Sequence, residues 1–486
     1  MWALQHNLTL ETTLAKIIDF PLAVNLDESP STMDTAVTAF LEAFDRARDE
    51  VQGMGIVDLE AVLGPVDAAL LKLKLVAKTA VLEAVIPTQD RVVVDGVEYQ
   101  RMKKVSPGRY FVLEGEVVVP RALFRATTVR NGPTLDPIAT RCGLVGGRFT
   151  PRAAQVAAFL DQSVPSREAE AICQLTGVLP FSRSSVFRLG QQVGQLFGEH
   201  QDELEEELAE TFEIPAAAHA VSIAVDRVSL PMAEDRDLTP RDLERGVKSP
   251  IAVKFRMAYC GVWTLHDTEG SPLHSVRYAH VPEGGSHAME AQLACDLDAL
   301  MEAHPDLKIV PLADGARDMQ MLLDRIVSPR SVAARFVDFW HLVEKLGAAI
   351  KQVKPADKGL LTTWKSDLLQ RDDAVRRIYS TLTGWALEHA GDELPEPLHD
   401  ALTYVYNNHQ RMHYASARAA FLPIASGHVE ATCKCIVTTR FKRAGARWKP
   451  EGAQALLDLR ALATSSRWEP AMRGLFKRLP RALEAA

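Results

Sequence analysis

The chain has 486 residues, 47% hydrophobic and 24% charged, with 55 Lys and Arg against 63 Asp and Glu for a formal charge of −8. At roughly 100–200 residues per domain this length fits several domains, and the composition excludes a disordered, collagen-like or rod-like chain. Six irregularly spaced Cys exclude a secreted disulfide framework, the first ten residues lack the basic and apolar regions of a signal peptide, and Lys72, Lys74 and Lys78 interrupt the best apolar run. A cytoplasmic protein without a membrane span is expected.

Residues 1–90 read as an N-terminal helical region. Ala36, Phe40, Phe44 and Ala47 recur at helical spacing, and a second helical pattern runs from Asp58 to Val85. Over 91–148 the period drops to two. Val92-Val93-Val94, the Asp95-Gly96 turn, Tyr110-Phe111-Val112 and Val117-Val118-Val119 predict a small antiparallel β-module. Its single cysteine, Cys142, leaves a zinc site there unsupported.

Residues 149–198 return to helix. Thr150-Pro151 is a start signal, a second helix begins near Ser166 and breaks at Thr176-Gly177, and Ser182 is placed to cap a third from Arg183 to Val193. That third helix carries Arg183, Ser184, Ser185, Arg188, Gln191 and Gln192. The pattern fits a helix-turn-helix that reads DNA, and equally any three-helix packing unit. Residues 199–213 hold eight acidic side chains and no Lys or Arg, so 199–216 is expected to be an acidic linker that avoids phosphates.

From 217 to 338 three antiparallel strand patterns precede a helix and a βαβ pattern, which gives an α/β layer arrangement. Asp226 directly follows the apolar run Val221 to Val225, and Asp314 directly follows Ile309 to Ala313. Residues 339–424 read as almost wholly helical. Glu430 falls in the first turn of a helix that starts the 425–486 region. Two acids at strand ends and one on a helix are hard oxygen ligands able to hold two divalent ions, though acids also follow strands simply to cap turns.

Several stretches occur in a fixed order. They are Gly147-Arg148-Phe149-Thr150-Pro151-Arg152, Ser182-Arg183-Ser184-Ser185-Val186, Val225-Asp226-Arg227-Val228, Leu312-Ala313-Asp314-Gly315-Ala316, Val337-Asp338-Phe339-Trp340-His341, Ser426-Gly427-His428-Val429-Glu430-Ala431-Thr432-Cys433-Lys434, and Phe441-Lys442-Arg443-Ala444-Gly445-Ala446-Arg447-Trp448. In that order they resemble the signature blocks of bacterial insertion-sequence transposases of the Kra type, from about residue 90 onward. The resemblance implies an RNase H-like mixed sheet core with an all-helical insertion, preceded by helical, small β and helix-turn-helix modules. It implies a catalytic triad of Asp226, Asp314 and Glu430 that binds two Mg²⁺ (or Mn²⁺). It also implies cleavage at transposon ends and joining of the 3′-hydroxyl to target DNA. The partners expected are DNA ends, target DNA and further copies of the chain, as a dimer or larger assembly. A decayed transposase acting as a DNA-binding regulator, or a nuclease without strand transfer, are the alternatives. Ala425 stands where the family's usual pattern has glycine.

Asp338 and His341 resemble an Asp-x-x-His block with a catalytic role; Asp338 is equally suited to cap the helix that begins at Phe339. The tail from Ala425 carries 12 Lys and Arg against 5 acids. Lys434, Arg440, Lys442, Arg443 and Arg447 are therefore expected to meet DNA phosphates, with a solvated helix face as the plain alternative. Trp448 suits base stacking or packing alike. Cys433-x-Cys435 reads as buried small residues, because its sulfurs diverge on a helix. His409 and His413 lack a third zinc ligand, and Gly284-Gly285 reads as a turn without the lysine of a phosphate loop.

Overall fold

The computed structural model describes residues 32–52, 55–179, 181–389 and 393–486. Two compact units are present. The first gathers the described residues up to Ala154, Arg167–Ser185 and Leu479–Ala486; the second gathers Gln155–Ser166 and Val186–Arg478.

In the first unit α1 (Met33–Glu50) and α2 (Leu59–Ala84) form the expected helical pair, each started by a side-chain cap, Thr32 and Asp58. A five-stranded sheet follows: β1 (Arg91–Val94), β2 (Val97–Val112), β3 (Gly115–Ala126), β4 (Thr134–Leu135) and the distant β10 (Glu484–Ala485), which pairs with β1. Asp95 and Gly96 both have positive φ, as the tight hairpin between Val94 and Val97 requires. After α3 (Pro137–Cys142) come α4 (Pro151–Ser163), α5 (Ser166–Thr176) and α6 (Arg183–Glu199). The three helices of the expected helix-turn-helix are thus present, and the third runs six residues past Val193 because Val193 and Phe197 continue its buried face. Its start is also differently made: Glu170 accepts the Arg183 N–H at 3.0 Å.

Residues 201–210, expected in a linker, form helix α7 (Gln201–Glu210) inside the second unit. Leu204 and Leu208 bury one side of it, while Glu205 pairs with Arg467 and Glu207 with Arg478. Glu205 and Glu207 are thus met by cations far away in sequence, which a local charge count does not see, while Asp202, Glu203, Glu206 and Glu210 are exposed. The boundary between units falls instead within α4 to α6.

The second sheet has the order β7-β6-β5-β8-β9. Strands β5 (Ala220–Asp235), β6 (Ile251–His266) and β7 (Pro272–His280) are antiparallel neighbours, with the short helix α8 (Pro240–Glu244) between β5 and β6. Helix α9 (Gly285–Ala303) leads to β8 (Lys308–Ala313), parallel to β5, and α10 (Arg317–Val327) leads to β9 (Phe336–Val337), parallel to β8. Alternation along the strands sorts the core. Val221, Ile223, Val225, Ile309 and Ala313 pack with Met289, Leu293 and Leu322 of the α9–α10 layer. Ala220, Ala224, Val310, Leu312 and Phe336 face the opposite way and pack against Val429 and Leu422.

From Phe339 to Ala419 the chain is helical: α11 (Phe339–Val353), α12 (Leu360–Gln370), α13 (Ala374–Glu388), α14 (Glu396–Asn408) and α15 (Tyr414–Ala419). These helices share a core of their own, with Leu346, Trp364, Trp385, Leu398 and Tyr414 buried together. Then come α16 (Gly427–Thr432), a π-helical turn (Cys433–Thr438), α17 (Thr439–Phe441), α18 (Pro450–Thr464) and α19 (Trp468–Arg478). Among the described residues no helix is long and apolar enough to cross a membrane.

Candidate functional site

Three aspartates stand in one row across the second sheet. Ala224 pairs with Leu312, and Leu312 with Phe336; Asp226, Asp314 and Asp338 each lie two residues further along their strands. By strand alternation Asp226 faces the same side as Ala224, the side that Val429 covers. Asp314 follows the end of β8 as expected. Asp226 does not end its strand, for β5 runs on to Asp235, paired residue by residue with β6. Pro231 reads as a strand breaker in sequence, but it sits where β5 has lost β8 and needs no N–H: Trp448 bonds past it, donating to the Pro231 carbonyl at 3.0 Å and accepting from Ala233 at 2.8 Å. The carboxylate therefore sits where the parallel partner stops.

Burial pushes the Asp226 carboxyl above its ordinary range, and the charge of Asp314 pushes it the same way. Its oxygens accept from the Arg227 N–H at 2.6 Å and the Cys433 thiol at 3.6 Å. The imidazole of His341 lies within electrostatic reach and acts in the opposite sense. Asp314 accepts from the Ala316 N–H at 2.9 Å, while its carbonyl accepts the Tyr404 hydroxyl at 2.8 Å. Gly315 makes that approach possible: its φ is +99°, and a Cβ there would stand 2.6 Å from the Tyr404 ring. Among the described residues no Lys or Arg forms an ion pair with Asp226, Asp314 or Asp338.

Asp338 takes the capping alternative. It is buried, and one oxygen accepts the His341 N–H at 2.8 Å. The other accepts the Ser426 N–H and, at 2.8 Å, the Ser426 hydroxyl. With both oxygens engaged, Asp338 is a positioning residue: it ties the start of α11 to the turn before α16. The Phe339 N–H adds a bond to Ile424 at 3.1 Å. This double attachment, together with buried Val429, fixes the short helix that carries Glu430 on the sheet.

Glu430 itself is exposed, one turn before Cys433 on the same helix. Past it the helix widens into the π turn, and Arg460 from α18 donates to the carbonyls of Cys435 and, at 2.7 Å, Ile436. Cys433 is buried beside Cys260 and Asp226, and these neighbours and burial push its thiol far up, so it acts as a donor; Cys435 is half-buried. Both fit the reading of packed small residues. As placed, no three His, Cys, Asp or Glu side chains among the described residues stand close enough to enclose a metal ion. Asp226 and Asp314, at matching positions on neighbouring parallel strands, and Glu430 offer carboxylate oxygens, the donor type that a hard divalent cation takes.

The expected DNA contacts divide sharply. Arg183, Ser184, Arg188 and Gln192 are exposed on α6, and Ser185 and Gln191 are half-buried. Lys434, Lys442, Arg443 and Arg447 are exposed. Arg440 is not available to DNA: it is buried, ion-paired to the fully buried Asp161 at 3.3 Å, and stacked 5.3 Å over Trp448. Trp448 is buried against Phe441 with ring centroids 4.7 Å apart, so its role is packing. Gly190 on α6 leaves room for Asp161, whose oxygen would stand 2.3 Å from an added Cβ. Sequence reasoning missed Tyr404 and Arg460, which bond backbone carbonyls and leave no motif, and the tie that Ser426 makes to Asp338. No protein-family model matches the chain, and no curated protein matches it either.

Proposed function

We propose that this chain is a DDE transposase of the Kra type, a metal-dependent enzyme that cleaves DNA at transposon ends and joins the freed 3′-hydroxyl to target DNA. The observation that carries the reading is the row of Asp226 and Asp314 on neighbouring parallel strands, with no Lys or Arg ion pair among the described residues, under the helix that bears Glu430. Three antiparallel strands followed by two parallel ones, with the first strand central, is also the sheet order of an RNase H-like core. The helices from Phe339 to Ala419 carry their own core and suit an insertion between the second and third acids.

In this reading Asp226, Asp314 and Glu430 hold Mg²⁺ (or Mn²⁺), which supplies Lewis acidity to the attacking and leaving oxygens of a phosphodiester. Asp338 orients the Glu430 helix through Ser426. His341, half-buried in the first turn of α11, would orient the attacking water or contact the leaving strand. Exposed Arg183, Ser184, Arg188 and Gln192 suit recognition of terminal inverted repeats, and Lys434, Lys442, Arg443 and Arg447 suit phosphate contacts. Joining two ends calls for a dimer or a larger assembly.

The test incubates the purified chain with Mg²⁺ and DNA bearing the inverted repeats that flank its coding sequence. Wild type is expected to nick at the repeat ends, and Asp226→Asn, Asp314→Asn and Glu430→Gln to bind without nicking. Cleavage that survives these substitutions overturns the mechanism. Specific binding without cleavage by wild type favours a regulator, and cleavage without joining favours a nuclease. Arg183→Ala with Arg188→Ala is expected to weaken end binding and leave nicking of saturated ends intact.

A further inference from the structure

Exposed apolar side chains are concentrated in one place. Among the described residues 28 large apolar side chains are exposed, and nine of them lie in the 31-residue stretch from Met33 to Leu63. Met33, Val37, Leu41 and Phe44, at 37–52% exposure, recur every three or four residues and so form one stripe along α1. Leu59 and Leu63 carry the exposure on to the first turns of α2. A stripe of this kind forgoes burial that a covering partner would supply.

The helical pair does not cover the stripe itself. α1 packs on α2, and the buried residues of α1 are two alanines, Ala36 and Ala43. At about 100° per residue the stripe stands roughly a quarter-turn round the helix from them. α2 in turn gives Leu75 and Leu82 to the core of the β-module. Two helices share a single seam, and a helical core closes only when further helices cover the outer faces.

Charge and spacing select the occupant. Met33 to Leu63 carries seven acids against two arginines, a net −5 that repels nucleic acid and anionic lipid headgroups alike. The stripe is complementary to itself. Asp34 stands seven residues before Leu41, and Arg48 seven after it. Two α1 helices laid antiparallel with Leu41 on the two-fold axis therefore set Asp34 of each against Arg48 of the other. In the same register Val37 lies against Phe44 of the second copy. Asp34 and Arg48 are both exposed, and the surface pairs that Arg48 makes with Asp45 and Asp49 are weak enough to yield.

We propose that α1 is a self-association surface: two copies of the chain pair their α1 helices antiparallel about Leu41, and the two hairpins close a four-helix bundle. This goes beyond the proposed chemistry, to which it adds a contact between two end-bound copies. An 18-residue helix is about 27 Å long, a small seam for an obligate dimer, so micromolar strength is expected.

The test is sedimentation equilibrium of the full chain, free of DNA and metal, from about 1 µM to about 100 µM. Wild type is expected to pass from monomer to dimer over that range. Leu41→Glu sets two carboxylates face to face on the axis, at a position already exposed. It is expected to stay monomeric throughout, with unchanged helicity by circular dichroism. Asp34→Arg and Arg48→Asp are each expected to weaken the dimer by about 2- to 30-fold, because two symmetric ion pairs are lost. The double variant is expected to restore it, which neither a damaged fold nor a parallel pairing allows. Wild type that stays monomeric at the highest concentration overturns the inference. So does a dimer that Leu41→Glu leaves intact, because the copies then join elsewhere. A monomer in which Leu41→Cys is shielded from a maleimide assigns the stripe to a segment of the same chain and overturns it equally. Cleavage plays no part in the readout, so a dimer in a chain that does not cut leaves this surface standing and the transposase reading failed.

Discussion

Two acidic groups in the second unit are built on opposite terms. Around Arg467, Glu205 forms an ion pair, the Tyr278 hydroxyl accepts from the guanidinium at 2.7 Å, and Asp296 accepts from Tyr278 at 2.7 Å and from Trp263 at 2.6 Å. Burial pushes the carboxyls of Glu205 and Asp296 up, and Arg467 pulls both back. Asp226 is likewise pushed up by burial, with Asp314 adding, but what opposes the push there is the Arg227 N–H, the Cys433 thiol and His341 in place of an ion-paired Arg. Charge that serves only the fold is compensated within the chain. Charge left for an outside cation is where chemistry is to be sought.

Removing one partner from each group is the strongest way to break that contrast. Arg467→Ala strands Glu205 and Asp296 in the interior and is expected to cost about 3–5 kcal/mol, read as a large fall in the urea midpoint. Asp226→Asn is expected to hold or raise the midpoint in metal-free buffer, because it removes a part-buried charge that forms no ion pair with Lys or Arg among the described residues. A large loss of stability in Asp226→Asn would make the two groups alike.

Cation addition comes next. Mg²⁺ or Mn²⁺ is expected to raise the wild-type Tm by an amount equivalent to about 2.7 kcal/mol at a hundredfold excess over Kd, and to leave Asp226→Asn and Asp314→Asn unmoved. The Arg467 group is expected not to respond, so Arg467→Ala should keep its metal shift.

The pH response sharpens the comparison further. Asp458, buried near Glu205, is pushed up to about 7 by burial, with Gln454 opposing and Glu205 adding. A carboxyl whose folded value is raised binds its proton more tightly when folded. Its contribution is therefore full at low pH and is lost as pH rises from the ordinary carboxylate range through about 7. Asp458→Asn, which keeps an acceptor for Gln454 at the position that now accepts at 2.7 Å, is expected to unfold a few degrees above wild type at pH 8 and level with it at pH 5. The smallest effect expected is that of Ser426→Ala. It removes one hydroxyl bond to Asp338 and keeps the backbone one, costing about 1 kcal/mol by denaturant titration, with a larger proportional loss of nicking if Glu430 is displaced.

Asp226 and Asp314 were legible in sequence because each follows an apolar run, which marks a strand; the place of Asp338 in the same row was not, because only two apolar residues precede it. The helices after Phe339 were legible through their spacing. What escaped depends on partners far away. Arg440 looked like one more basic residue in a basic tail until Asp161, 279 positions earlier, claimed it. Glu205 and Glu207 looked as solvated as the other acids of α7 until Arg467 and Arg478 met them. The continuation of β5 past Asp226 rests on β6 and on Trp448, a distant residue that bonds the Pro231 carbonyl and the Ala233 N–H.

The π turn after Glu430 has a consequence for how this helix tolerates change. An extra residue is wound into Cys433–Thr438, and Arg460 occupies the carbonyls it frees. Deleting one residue there would heal the helix to ordinary pitch and leave Arg460 facing groups already satisfied. It would also turn everything before the deletion by about 100° relative to Phe441, swinging Val429 off the sheet and with it the turn of helix that carries Glu430. The spacing between Glu430 and Phe441 is thus a phase as well as a length, and insertions or deletions in it should be far less tolerated than substitutions.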